Sequence, residues 1–266
     1  MQPDPAKPDP TLGRISIILV RARNPANIGA VARAMHDFGF TNLRVVNEFA
    51  VPFEAARSAV DASAVLSAAR SFSTLEEALA DCTLVVGTTA VGERELRHPL
   101  LTLPAAAPQL RRHLGAEPHT RIALLFGSEK TGLSNEELSF CHLLLTIPMY
   151  PHPDVRHPSM NLGQAVAVCL YELTRMDAPS NTPAAPDDLM LPPSAEIERL
   201  TALLREMLEE IGYTQHHPAN TSAPELRRLV RRMGADVRSA PVWMGIFRQV
   251  LWKARQGSPL PRTSQP

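Results

Sequence analysis

The chain is 266 residues long, enough for one substantial hydrophobic core and a smaller attachment. Its 27 lysines and arginines balance 27 aspartates and glutamates, so whole-molecule charge cannot draw in a polyanion, and any nucleic-acid contact has to rest on a local basic face. Three cysteines, Cys82, Cys141 and Cys169, are odd in number, widely spaced and without CxxC spacing, which suits buried thiols in a reducing compartment better than a disulfide framework.

The opening MQPDPAKPDP has neither a basic start nor an apolar run, and ISIILV, which follows, is far shorter than a membrane span. A cytoplasmic protein that does not engage a membrane is expected, with residues 1–13 as a disordered tail. From Arg14 to Asp177 the apolar runs ISIILV, LRVVN, TLVVGTT, RIALLFG and HLLLTIPM alternate with helix-like stretches. The runs are continuously apolar, so the strands are expected to be covered on both faces, as in a mainly parallel α/β sheet. AVARAMHDFG, STLEEALADC and LGQAVAVCLYELTRM have helical spacing, and Gly39 is placed to close the first of them.

Three strand exits carry polar chemistry. In RNPANIGAVAR a strand ends near Val20, and Asn27 and Gly29 fall at a helix start with Arg33 one turn further in. Such a start offers unpaired N–H groups to a phosphate, and an arginine one turn in can reach the same anion; taken alone, an ordinary asparagine cap with a surface arginine is the simpler explanation of the pattern. In ALLFGSEKTGLS, Gly127 ends a strand, and Ser134 and Glu137 make a capping-box pattern ahead of a short helix. The spacing is that of a phosphate-binding glycine loop, but Leu133 stands where its lysine must be, which argues against nucleotide hydrolysis. In IPMYPHPDVRHPSMNLGQAV a proline-rich loop leaves a strand at Ile147 and enters a helix near Asn161, with Ser159 or Asn161 as its cap. His152 and His157 make only a weak case for a metal, and none is expected.

Ala178 to Pro193 is rich in proline and small residues without a period, and reads as a linker. Beyond it, stripes at Leu200, Leu203, Leu204, Met207, Leu208 and Ile211, at Leu226, Leu229, Val230 and Met233, and at Trp243, Ile246, Phe247 and Val250 give a small all-α domain over residues 194–257. Arg227, Arg228, Arg231 and Arg232 lie opposite the second stripe and form a basic face suited to RNA phosphates. The tail from 258 to 266 reads as disordered.

Taken in order, NIGAVAR, FGSEKTGL and PSMNLGQAV resemble the three motifs of the SPOUT superfamily, in its SpoU-like 2′-O-ribose branch. The resemblance covers Arg14 to Asp177 and extends to GYTQHHPAN and ELRRLVRRM in the helical part. It implies a sheet with a C-terminal trefoil knot over roughly Arg121 to Met176, a homodimer, and methyl transfer from S-adenosylmethionine to a tRNA ribose, at cytidine or uridine 32 of the anticodon loop. An rRNA or other RNA substrate, or a noncatalytic RNA-binding relative, is the alternative. Carried over by motif, the cofactor positions are Thr88, Thr89, Ala90, Gly127, Ile147, Pro158, Ser159 and Met160. Arg33 matches the catalytic arginine, with Asn27, Glu129, Ser159 and Asn161 at the other functional polar positions. The loop from Tyr150 to Ser159 is about four residues longer than the family pattern.

Overall fold

The computed structural model describes residues 11–47, 63–90, 97–150, 159–175 and 190–256. The five apolar runs form β1 (Ile15–Val20), β2 (Asn42–Val46), β4 (Leu84–Thr88), β6 (Ile122–Phe126) and β7 (Leu143–Thr146), and two three-residue strands, β3 (Arg70–Phe72) and β5 (Leu100–Thr102), close the edges. The order is β3-β2-β1-β6-β4-β7-β5, every pair parallel. Alternation along β1 explains its continuous apolarity: Ile15, Ile17 and Leu19 enter one core, Ile18 and Val20 the other.

The first core is roofed by α1 (Pro25–Asp37), α2 (Ser63–Ala68), α4 (Leu103–Ala116) and α6 (Leu162–Thr174), through Ile28, Val31, Met35, Leu110, Val166 and Leu170 among others. The second is covered by α3 (Leu75–Leu79) and α5 (Asn135–Leu138). Gly39 follows α1 at φ 78°, the left-handed conformation that glycine adopts without steric cost. Across β2, Arg44 is buried and bonds Asp81 at 2.5 and 2.9 Å and the Ala78 carbonyl at 2.6 Å, which fastens α3 to the sheet.

The C-terminal part consists of α7 (Ser194–Glu210), the short α8 (Tyr213–His216), α9 (Ala223–Arg232) and α10 (Ser239–Arg255) around a third core of Ile197, Leu200, Leu204, Leu226, Val230, Ala240 and Phe247. Two expected stripes are corrected. Leu229 is 51% exposed, and on α10 Ile246 is 45% exposed while Ala240, Met244, Phe247 and Leu251 face inward. The larger side chains suggested a register that the small Ala240 displaces: residues 240, 244, 247 and 251 share one helix face. The first N–H groups of α7 are spent on the sheet unit, Ser194 donating to the Cys82 carbonyl (2.7 Å) and Ala195 to that of Ala80 (3.3 Å). The expected tail over residues 1–13 is corrected at its end, where Leu12–Arg14 form a 3-10 turn and Leu12 packs on the first core; residues 1–10, 258–266 and most of the linker, 178–189, lie outside the described residues. Among the described residues no helix is long and apolar enough to cross a membrane.

Candidate active site

Because β1, β6, β4 and β7 are adjacent and parallel, their C-terminal ends open on one edge of the sheet. The loops after Val20, Phe126, Thr88 and Thr146 leave there side by side, so all three polar segments start from neighbouring strands.

The first segment differs from expectation in where its helix begins. Asn24 is the cap, its side chain accepting from the Ala26 N–H at 3.0 Å, and Pro25 opens α1. Asn27 therefore lies inside the first turn, and Arg33, eight positions after Pro25, is more than two turns in. At about 1.5 Å per residue that is roughly 12 Å along the axis, too far for Arg33 and the helix-start N–H groups to share one small anion. Arg33 is exposed on the outer face of α1.

In the second segment the chain doubles back. Gly132, at φ 64°, donates its N–H to the Ser128 carbonyl (2.9 Å), and the Ser128 and Thr131 hydroxyls bond at 2.9 Å. A Cβ on Gly127 would fall 2.1 Å from the Gly132 carbonyl carbon, so only glycine fits. Ser134 and Glu137 complete the expected capping box. An arginine that sequence reasoning did not single out fixes this loop. Arg21, directly after β1, grips Glu137 through Nε (2.6 Å) and Nη2 (2.9 Å) and also donates to the Gly132 carbonyl (3.0 Å). Burial pushes the Glu137 carboxyl up, but the Arg21 guanidinium and the Ser134 N–H outweigh it and hold that carboxyl below the usual range.

Asn161 caps α6, its Oδ1 accepting from Gly163 (2.9 Å) and Gln164 (3.4 Å). Its amide nitrogen donates to Asn27 Oδ1 (3.2 Å), and Asn27 Nδ2 donates in turn to Glu129 Oε1 (2.9 Å). Three candidate residues from three motifs thus form one hydrogen-bonded chain. Gly163 allows it: a Cβ there would stand 2.7 Å from that of Ala30, so α6 meets α1 only with glycine at this position. The chain leaves one Glu129 oxygen committed and presents a carboxylate beside two oriented amides, a set that can accept a hydroxyl proton in a hydrogen bond and steer its oxygen.

At the neighbouring strand ends Thr88 donates its hydroxyl to the Leu125 carbonyl (2.8 Å) and the Thr89 N–H goes to Leu145 (2.9 Å). Ala90 is exposed, Ile147 half-buried against the core, Ser159 exposed and Met160 half-buried. Pro158 and the histidines 152 and 157 lie outside the described residues. Among the described residues there is no group of three or more His, Cys, Asp or Glu side chains placed to hold a metal. The three cysteines are free and buried, with burial pushing each thiol up to about 12, which holds each as the neutral thiol near pH 7.

The arginine-rich helix α9 is not the open basic face expected. Arg227 lies 3.9 Å over the Phe140 ring and pairs with Glu198 (3.0 Å) and Glu136 (3.1 Å), and Arg231, 2% exposed, pairs with Glu198 (2.9 Å). Arg228 holds Glu225 (2.9 Å) and the Asn135 carbonyl (3.1 Å), and Arg232 donates to the Arg97 carbonyl. Acids from α5 and α7 meet this face, so it forms the joint between the two units. Beside it, burial and the charges of Arg228, Arg232 and Arg231 push His98 down to about 4, leaving it neutral near pH 7.

Residues 14–171 match the model of the SpoU rRNA Methylase family. The chain belongs to the SpoU methylase family. It is 34% identical over 245 residues to the tRNA (cytidine/uridine-2′-O-)-methyltransferase TrmJ of Yersinia enterocolitica, spanning 90% of this chain and 92% of that one. It is likewise 34% identical to the tRNA (cytidine/uridine/adenosine-2′-O-)-methyltransferase TrmJ of Pseudomonas aeruginosa, spanning 92% and 96%. Among solved structures, TrmJ from Z. mobilis ZM4 superposes with a TM-score of 0.73 at 30% identity, over 88% of this chain and 98% of that one. The likeness therefore extends through the helical unit as well as the sheet.

Proposed function

We propose that this chain is a tRNA 2′-O-ribose methyltransferase that uses S-adenosylmethionine and acts at cytidine or uridine 32 of the anticodon loop, as a homodimer in the cytoplasm. The observation that carries the reading is the Asn161–Asn27–Glu129 chain, which joins the three family motifs at the open edge of the sheet. The division into a methyltransferase unit, residues 14–177, and an accessory unit, residues 194–257, belongs to the same proposal. So does a knot over Arg121–Met176, whose path runs in part through residues 151–158, outside those described.

The residues at the strand ends fit the cofactor. They are neutral, and with the Thr88 hydroxyl and the Thr89 N–H engaged within the protein, recognition there falls to backbone groups around Ala90, Gly127 and Ile147. Apolar and glycine positions of this kind enclose a nucleoside while main-chain groups read its edge. When bound, the cofactor supplies a methyl already activated on a sulfonium, so no metal is required.

The protein's task is the acceptor, because a ribose hydroxyl is a poor nucleophile until its proton is withdrawn or its developing charge stabilised. Glu129, held by Asn27, orients that hydroxyl, and Asn161 fixes Asn27. A guanidinium is an unsuitable general base, and Arg33, exposed further along α1, serves instead as a clamp on a phosphate of the acceptor strand. With Arg23 and Lys130 exposed at the open edge, Arg33, further along the helix, replaces the joint arginines of α9 as charge that meets RNA.

The test is incubation of unmodified tRNA with the protein and methyl-labelled cofactor, followed by alkaline hydrolysis. A 2′-O-methyl blocks the internal nucleophile, so label is expected in an alkali-resistant dinucleotide. Label in mononucleotides only, or no transfer, overturns the proposal. Arg33→Ala should abolish transfer while cofactor affinity stays within a few fold.

A further inference from the structure

Among the described residues, Arg21 is the one non-glycine with positive φ, at 57°. An arginine held there pays a steric penalty that glycine would not, and such strain persists only where the surroundings enforce it. It is enforced here by the two-pronged grip on Glu137, the bond to the Gly132 carbonyl, and the Arg21 N–H donated to the Val46 carbonyl at 2.9 Å. The strained backbone aims the side chain across the exit of β1 onto the loop after β6. That loop carries Glu129, and Asn27 lies six positions beyond Arg21.

We infer that Arg21 is a positioning residue for methyl transfer, setting the loop from Gly127 to Leu133 so that Glu129 meets Asn27. This rests on the function proposed above. Glu137 takes part through Arg21: its carboxylate closes the capping box of α5 and receives the guanidinium with the same oxygen, Oε2, so the start of α5 and the exit of β1 move as one piece. The fork geometry matters, since a lysine would keep the charge but lose the paired contacts.

The strain supplies the discriminating experiment. Arg21→Ala loses the grip and keeps the unfavourable φ, whereas Arg21→Gly loses the grip and relieves it, so the glycine variant should melt higher than the alanine variant. If Arg21 only supports the fold, activity should track melting temperature and the glycine variant should recover. If it positions the loop, both variants should lose kcat alike, by about 100-fold, because a displacement of about 1 Å in a reacting group costs about that much. The KM for cofactor should stay within a few fold, and Arg21→Lys should recover part of kcat. Glu137→Gln, which retains an acceptor for the capping box, should lower kcat similarly, and the double variant should be no worse than the worse single one. Wild-type protein is assayed alongside: no transfer by wild type defeats the proposed function, whereas active wild type with kcat recovered in Arg21→Gly, or additive losses in the double variant, defeats the role of Arg21.

Discussion

Arg227→Ala is the sharpest test of the joint between the two units. The side chain is 12% exposed, stacked on Phe140, paired with Glu198 and Glu136, and bonded to the Ser139 hydroxyl at 2.8 Å. Breaking a buried pair by removing one partner costs roughly 3 to 5 kcal/mol when the other charge is stranded. Here Glu198 keeps Arg231 at 2.9 Å, so the loss falls to roughly 2 to 3 kcal/mol, of which about 1 kcal/mol is the cation–π contact. For a chain of this size, that corresponds to a drop of roughly 4 to 12 °C in melting temperature. Thermal unfolding measures it, and amide exchange should accelerate between Asn135 and Phe140, the segment the arginine covers. Arg248→Ala, at an exposed site on α10, is the control and should change stability by less than about 0.5 kcal/mol. An unchanged melting temperature with weakened tRNA binding would refute the joint and restore α9 as an RNA-binding face.

Three further outcomes follow from the geometry. Gly163→Ala should force α6 off α1, costing about 1 to 3 kcal/mol and most of the activity, and Ala30→Gly in the same chain should restore much of both, as thermal melts and transfer rates will register. Asn27→Asp should lower activity at least about tenfold in a transfer assay, since it removes the donor to Glu129 and sets two carboxylates together. Asp81 and Glu137 are both held below the usual carboxylate range. For Asp81, the hydrogen bond from Arg44 outweighs the opposing burial, and for Glu137 burial is outweighed by Arg21 and Ser134. A depressed folded pKa gives stability that is present above the ordinary value near pH 4 and is lost as pH falls through it toward the folded value. Asp81→Asn and Glu137→Gln should therefore melt lower at pH 7 and show a shallower decline below about pH 4.

Much of this was written in the sequence, for reasons that also mark where reading fails. Strands such as ISIILV declare themselves because both faces are buried. RSF and LLT do not, since a three-residue strand at the edge of the sheet is too short to show a period. The helix from Leu103 to Ala116 went unassigned because Pro104 and Pro108 interrupt its pattern, although proline at a helix start is tolerated. Helical periodicity placed four arginines of α9 on one face but carries no information about what packs there, and Glu136, Glu198 and Phe140 come from elsewhere in the chain. Asn27, Glu129 and Asn161 were legible as motif positions; their joining was not, because it depends on β1 and β6 being neighbours and on the close approach at Gly163. Arg21 gave no signal at all, since nothing in the sequence marks a left-handed arginine.

The most direct test of the central claim is nucleotide-resolution mapping of ribose methylation on unmodified tRNA after reaction with the protein and S-adenosylmethionine. A single new 2′-O-methyl is expected at position 32, present with wild type and absent with Arg33→Ala. A methyl on a base, a ribose methyl outside the anticodon loop, or full methylation by Arg33→Ala would contradict it.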